Sequence, residues 1–130
     1  MIVETSALVA LLRNEETLES IRAALLAPGE KRLSAASYVE LCTVMGRDPR
    51  GRALIDETLN FYGIQVAPFD EEQARIAAQA YRYFGRGSGH PAGLNLGDVY
   101  GYALARTRNE PLLFVGDDFA HTDIVPALPY

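Results

Sequence analysis

Five carboxylates stand where predicted strands hand over to loops or helices, and they are the first chemistry this sequence offers. Glu4 follows the apolar run Met1-Ile2-Val3. Glu40 lies just inside a helix that begins after Ser34, and Asp98 just inside another after Asn95. Asp117 and Asp118 follow Leu112-Leu113-Phe114-Val115. In an open α/β sheet, ligands bind at the carboxyl ends of the strands, so acids this scattered in sequence would converge on one pocket. Like charges held close raise one another's pKa unless a counter-charge is present. The fitting counter-charge is a hard divalent cation with oxygen ligands, Mg²⁺ or Mn²⁺.

Taken singly, most of these acids have a plainer reading. Ser37 with Glu40 matches the Ser-x-x-Glu capping box, and Asn95 with Asp98 has the same spacing. Asp98 also complements the helix dipole, and Asp117-Asp118 is a turn signal. Glu4, directly after a buried strand, has no capping role in this reading and is assigned to function. A metal site requires all of them at one sheet edge, whereas capping requires no such convergence.

The elements that must position them alternate. Ile2-Val3 is a short buried strand, Ser6 to Leu12 starts a helix, and a second helix runs from about Glu15 to Ala27, stopped by Pro28-Gly29. Arg32-Leu33-Ser34 is a strand leading into a helix from about Ala36 to Met45. A break at Gly46 to Pro49 precedes a helix over about Gly51 to Tyr62, and Ile64 to Ala67 is a strand. Asp70 and Gln73 open an alanine-rich helix to about Tyr83. A glycine-rich stretch, Phe84 to Gly93, reads as a mobile loop. A helix from about Leu96 to Arg106, a strand over Leu112 to Val115 and a turn with an extended tail complete the chain. Short strands alternating with helices imply a parallel sheet covered on both faces, in one domain spanning 1–130.

Composition narrows the function classes. With 48% hydrophobic and 22% charged residues, the 130-residue chain is an ordinary globule with enough apolar material for a core. The opening residues lack the basic region and long apolar run of a secretory leader. No stretch approaches the roughly 20 apolar residues of a membrane span. Cys42 has no partner for a disulfide and reads as a structural thiol in a reducing cytoplasm. A net charge of −5 argues against nucleic-acid binding by bulk electrostatics, although acids concentrated in one site distort that measure. Lys31 is the sole lysine and reads as part of a turn. The arginines cluster as Arg47, Arg50 and Arg52, as Arg82 and Arg86, and as Arg106 and Arg108; each cluster is either a solvated helix end or a phosphate-binding rim. RNA-binding residues are not assigned. His90 and His121 lack zinc-ligand spacing, and Ser88 is not in a nucleophile elbow. Gly85, Gly87 and Gly89 lack the lysine of a phosphate loop.

Read together, Met1 to Leu8, Ser37-Tyr38-Val39-Glu40, His90 to Asp98 and Pro111 to Phe119 resemble PIN-domain ribonucleases, and more closely the VapC-type toxins of bacterial toxin–antitoxin pairs. The likeness runs on to His121-Thr122-Asp123-Ile124. It implies a three-layer α/β/α domain with a central parallel sheet, Mg²⁺- or Mn²⁺-dependent cleavage of RNA, homodimerisation, and a VapB-type antitoxin that covers the active site. By the family motif Glu4, Glu40 and Asp98 take three acidic positions, the fourth falls on Asp117 or Asp118, and Ser6 is the small polar residue beside the first acid. Leu8, Leu11 and Leu12 would offer a wall for an antitoxin helix. In one departure, the family has aspartate where this chain has Glu4. The added methylene moves the carboxylate by about 1.5 Å, and Mg²⁺ is strict about geometry. A displaced ion, a weakened enzyme and a catalytically silent partner-binding module all stay open on that point. A receiver-like phosphotransfer domain is a further reading, opposed by the lack of a suitably placed lysine.

Overall fold

β1 (Ile2–Val3) opens the fold, here a computed structural model that describes residues 1–129. There follow α1 (Thr5–Leu12), α2 (Leu18–Leu26), β2 (Lys31–Ser34), α3 (Ala35–Val44), α4 (Pro49–Tyr62), β3 (Ile64–Ala67), α5 (Glu71–Phe84), α6 (Asp98–Arg108), β4 (Leu112–Leu113) and a 3-10 turn (Asp118–His121). The strands form one parallel sheet in the order β3-β2-β1-β4. Successive strand residues face opposite sides, and here both sides are apolar. Ile2 and Leu112 join the core beneath α5 and α6, while Val3, Leu33 and Leu113 join the one beneath α1 to α4. The result is the three-layer α/β/α arrangement expected.

The strand order changes direction at β1. The chain moves outward through β2 and β3, then returns to place β4 on β1's other side. Such a switch point opens a crevice at the carboxyl ends of the strands. Glu4, the start of α3 and the Asp117-Asp118 turn all leave from that edge. At the opposite edge, the terminal ammonium of Met1 donates to Glu110 at 2.6 Å, and Arg32 and Arg108 pair with the same carboxylate.

Several local expectations need correction. α4 begins at Pro49, because Asp48 caps it by accepting the Arg50 N–H at 2.9 Å and proline suits the first helical position. α3 is capped by Ser34, whose hydroxyl accepts from the Ala36 N–H, so Ser37 is an interior residue and not half of a capping box. Lys31 is no turn residue. It is the buried first residue of β2, and its Nζ donates to the carbonyls of Ala27 and Gly29 at 2.8 and 3.0 Å. β4 ends at Leu113, two residues early. The tail does become extended: Leu112 N–H donates to Val125 O and Ala127 N–H to Leu112 O, so Pro126 bridges to β4. Among the described residues no helix is long and apolar enough to cross a membrane.

Candidate functional site

Glu4 is the residue at which β1 becomes α1. Its backbone N–H stays in the sheet, donating to Leu113 O at 2.9 Å. Its side chain turns back, and Oε2 accepts the Ser6 N–H at 2.7 Å, which makes Glu4 the N-cap of α1. The capping role denied to it from sequence is therefore present, since a carboxylate one methylene longer than aspartate still reaches the amide two residues on. A cap normally stays wet, yet Glu4 is only 2% exposed. Burial pushes its carboxyl up to about 7, against the Ser6 hydrogen bonds; the charges of Asp98 and Glu40 push the same way as burial. Ser6 also ties this acid to the segment just beyond β4, because its hydroxyl accepts the Val115 N–H at 3.0 Å.

α6 supplies the second wall. Asp98 is its first residue, and Oδ2 accepts the Asn95 N–H at 2.9 Å. The bond closes the turn before the helix; the N-cap is Gly97, which gives no side-chain cap, so Asn95 and Asp98 do not form the capping box their spacing suggests. Burial lifts the Asp98 carboxyl to about 6, opposed by the Asn95 amide and raised further by Asp118 and Glu40. Two glycines on this helix end make room for the other acids. A Cβ on Gly97 would stand 1.4 Å from Glu40 Oε2, and one on Gly101 would stand 3.3 Å from Glu4 Cγ. Residues four apart share a helix face, so Glu40 rests against the cap of α6 and Glu4 against its first turn.

The structure thus brings Asp98 and Glu40 within electrostatic range of Glu4, and Glu40 and Asp118 within range of Asp98, at the carboxyl edge. Asp117 and Asp118 are both exposed, but Asp117 lines a different cavity with Thr17, Ser20, Val115 and Gly116. Ser6 is at the site as a positioning group. Lys31, at the start of β2, is held by carbonyls at the other end of the strand, which removes the receiver-like reading. One feature of the site has no signal in the sequence. Thr5 Oγ1 and Ser37 Oγ, beside Glu4 and one turn before Glu40, are buried with no hydrogen-bond partner among the described residues. Arg86, whose cluster with Arg82 reads from sequence as a helix end or a site rim, acts on Asp98, opposing the acids around it.

Among the described residues, no three carboxyl, imidazole or thiol groups already stand together as metal ligands. In donor chemistry the site nonetheless suits a hard cation: all its donors are oxygen, its carboxylates repel one another, and two buried hydroxyls lack partners. Beside Glu40 lies a cleft of about 590 Å³, lined by Val39, Phe69, Leu96, Gly97 and Tyr100. On the far side of α1, Leu11 and Leu12 join Leu54, Phe61 and Tyr62 around a cavity of about 410 Å³. Leu8 is not in that wall; it is fully buried in the core.

Comparison with known proteins matches this arrangement to a described family. The PIN domain model covers residues 1–125. Ribonuclease VapC42 of Mycobacterium tuberculosis is 57% identical over 129 residues, which is 98% of each chain. Among solved structures, M. tuberculosis VapC20, described as a sarcin-ricin loop cleaving toxin, superposes with a TM-score of 0.73 at 17% identity over 98% of both chains. A toxin–antitoxin complex from Klebsiella pneumoniae gives 0.72 at 15% identity, over 99% of this chain and 98% of that one. At such identities the two structures share the fold alone.

Proposed function

We propose that this chain, which belongs to the PIN-domain family and stands among its VapC ribonucleases, is the toxic component of a toxin–antitoxin pair and cleaves RNA phosphodiester bonds with Mg²⁺ or Mn²⁺. The observation that carries the reading is the convergence of Glu4, Glu40, Asp98 and Asp118 on one edge of the sheet. Glu4, Glu40 and Asp98 would hold the ion directly or through water, with Asp118, rather than Asp117, as the fourth acid. When bound, the ion would lower the pKa of a water for attack on phosphorus and offset charge on the leaving oxygen.

The chain's own residues prepare that site. Ser6 fixes one oxygen of Glu4 and fastens α1 to the end of β4. The Asn95 amide fixes Asp98. Gly97, lacking a side chain, leaves Glu40 its place. Ligands positioned before substrate arrives need less reorganisation during reaction. Single-stranded or looped RNA suits the adjoining cleft, because its backbone can bend into it. The apolar cavity at Leu11 and Leu12 suits an amphipathic antitoxin helix, and a cytoplasmic homodimer is part of the same proposal. A catalytically silent binding module is not favoured, since a relative matching nearly the whole chain is named a ribonuclease.

The test is cleavage of single-stranded RNA in Mg²⁺, in Mn²⁺ and with a chelator. Cleavage should require the metal, and Asp98→Asn should reduce it to background. Glu4→Asp should be faster than the parent in Mg²⁺, with a smaller gap in Mn²⁺. Equal rates for parent and Glu4→Asp would make glutamate an adequate ligand. No cleavage by either chain, under any metal condition, would replace this reading with the silent module.

A further inference from the structure

α5 ends on Tyr83 and Phe84, and the loop beyond it brings Arg86 back toward the acids. Backbone bonds fix that return. Arg86 N–H donates to Leu94 O at 2.8 Å and Leu94 N–H to Phe84 O at 2.9 Å. The next amide, that of Asn95, binds Asp98. Far from being loose, the base of this glycine-rich loop is pinned to the segment that carries the catalytic-edge acid. Among the described residues Arg86 makes no ion pair, as is also true of Arg13, Arg47, Arg50, Arg52 and Arg82, but of these six only Arg86 acts on an acid of the site. Its charge reaches Asp98 without being spent on a partner.

The same segment of chain builds an aromatic cluster. The Tyr83 and His90 ring centroids are 5.3 Å apart, and Phe84 lies 4.8 Å from each of them. His90 is held in place: its Nδ1 accepts the Ala92 N–H and its own backbone N–H donates to Ser88 Oγ, both at 3.1 Å. Tyr83 is 65% exposed, so it is not there to fill a core. With Phe84, Tyr102 and Arg106 it walls a cavity of about 360 Å³. A guanidinium without an ion pair, carried three residues after an exposed tyrosine ring, is the chemistry that grips single strands, the cation on a phosphate and the ring on a base.

Resting on the ribonuclease reading above, we propose that Arg86, Tyr83 and His90 form a subsite for the single strand next to the scissile bond. Arg86 takes a flanking phosphate and Tyr83, backed by His90, stacks on the adjoining base. Stacking on a flat ring accepts any base, so this subsite supplies grip and register, not sequence choice.

The experiment measures binding of a fluorescein-labelled oligouridylate to the full chain carrying Asp98→Asn, across a salt series. In that background Arg86→Ala should reduce the slope of log affinity against log salt by about 0.7, one single-strand phosphate contact. Arg86→Lys should keep the slope. Tyr83→Ala should weaken binding about tenfold with the slope unchanged, and Tyr83→Phe should bind as the parent does. Arg75→Ala, which removes the same charge from an ion-paired position at the start of α5, should alter neither quantity. In the cleaving chain, Arg86→Ala and Tyr83→Ala should raise KM more than they lower kcat. Circular dichroism confirms that each variant is folded. Unchanged slope in Arg86→Ala, or unchanged affinity in Tyr83→Ala, overturns the subsite while leaving the ribonuclease reading intact. A change of oligomeric state in Tyr83→Ala with unaltered RNA affinity overturns it too, and assigns the rings to a protein contact. A parent chain that neither binds nor cleaves RNA sinks both readings.

Discussion

Glu4 carries the tension of this molecule in one side chain. It caps α1, it is buried, and it faces other acids, so ionising it costs the fold. With a carboxyl raised from 4.5 to about 7, the native state binds a proton more tightly than the unfolded chain does. The sign follows: stability is fully present below about pH 4.5 and is lost as pH rises toward 7. The loss is at most roughly 3 kcal/mol. Asp98, raised toward 6, acts in the same direction over a lower window. In chelator, denaturant unfolding of the parent should therefore show declining stability between pH 5 and pH 8, with much of that decline absent in Glu4→Gln. A parent whose stability rises over this range would contradict the burial argument. Sequence made Glu4 conspicuous but misjudged why. Its position after an apolar strand was readable, whereas the fold-back onto the Ser6 amide depends on side-chain reach that no spacing rule encodes.

α6 shows how an element builds a site partly by omission. Gly97 has ordinary helical backbone angles, so alanine there carries no backbone strain, and its Cβ meets only the movable end of Glu40. Gly97→Ala should leave thermal stability unchanged or slightly raised. It should lower RNA cleavage on the order of 100-fold, the cost of misplacing a group by about 1 Å. Equal activity in the variant would mean that Glu40 has no fixed place in the chemistry. Element types were readable throughout because their apolar periods differ, and both faces of β1 and β4 are apolar as a covered parallel sheet requires. The ends were less so. Asp48-Pro49 is a readable start for α4 that also has the composition of a break, while the Ser34 cap of α3 is obscured by a competing Ser37-Glu40 pattern three residues on. The Gly97 and Gly101 contacts were not readable at all, since they join residues distant in sequence.

The molecule as a whole divides its work between two surfaces. The carboxyl edge of the sheet gathers the acids, and the α1–α2–α4 side offers the apolar cavity around Leu11, Leu12 and Phe61. If an antitoxin helix occupies that cavity, Leu11→Asp should lower its affinity at least tenfold without unfolding the toxin, because Leu11 is only partly buried. Unchanged affinity, measured by titration calorimetry with the co-expressed antitoxin, would move the interface elsewhere. The central claim is narrower: four acids separated in sequence act as one cation site. Thermal melting with and without Mn²⁺ tests it most directly, since a ligand selective for the native state raises Tm by mass action. Tm should rise clearly for the parent, the rise should be lost in Asp98→Asn and in Asp118→Asn, and it should survive in Asp117→Asn. An undiminished rise in Asp98→Asn would place the ion elsewhere and contradict the account.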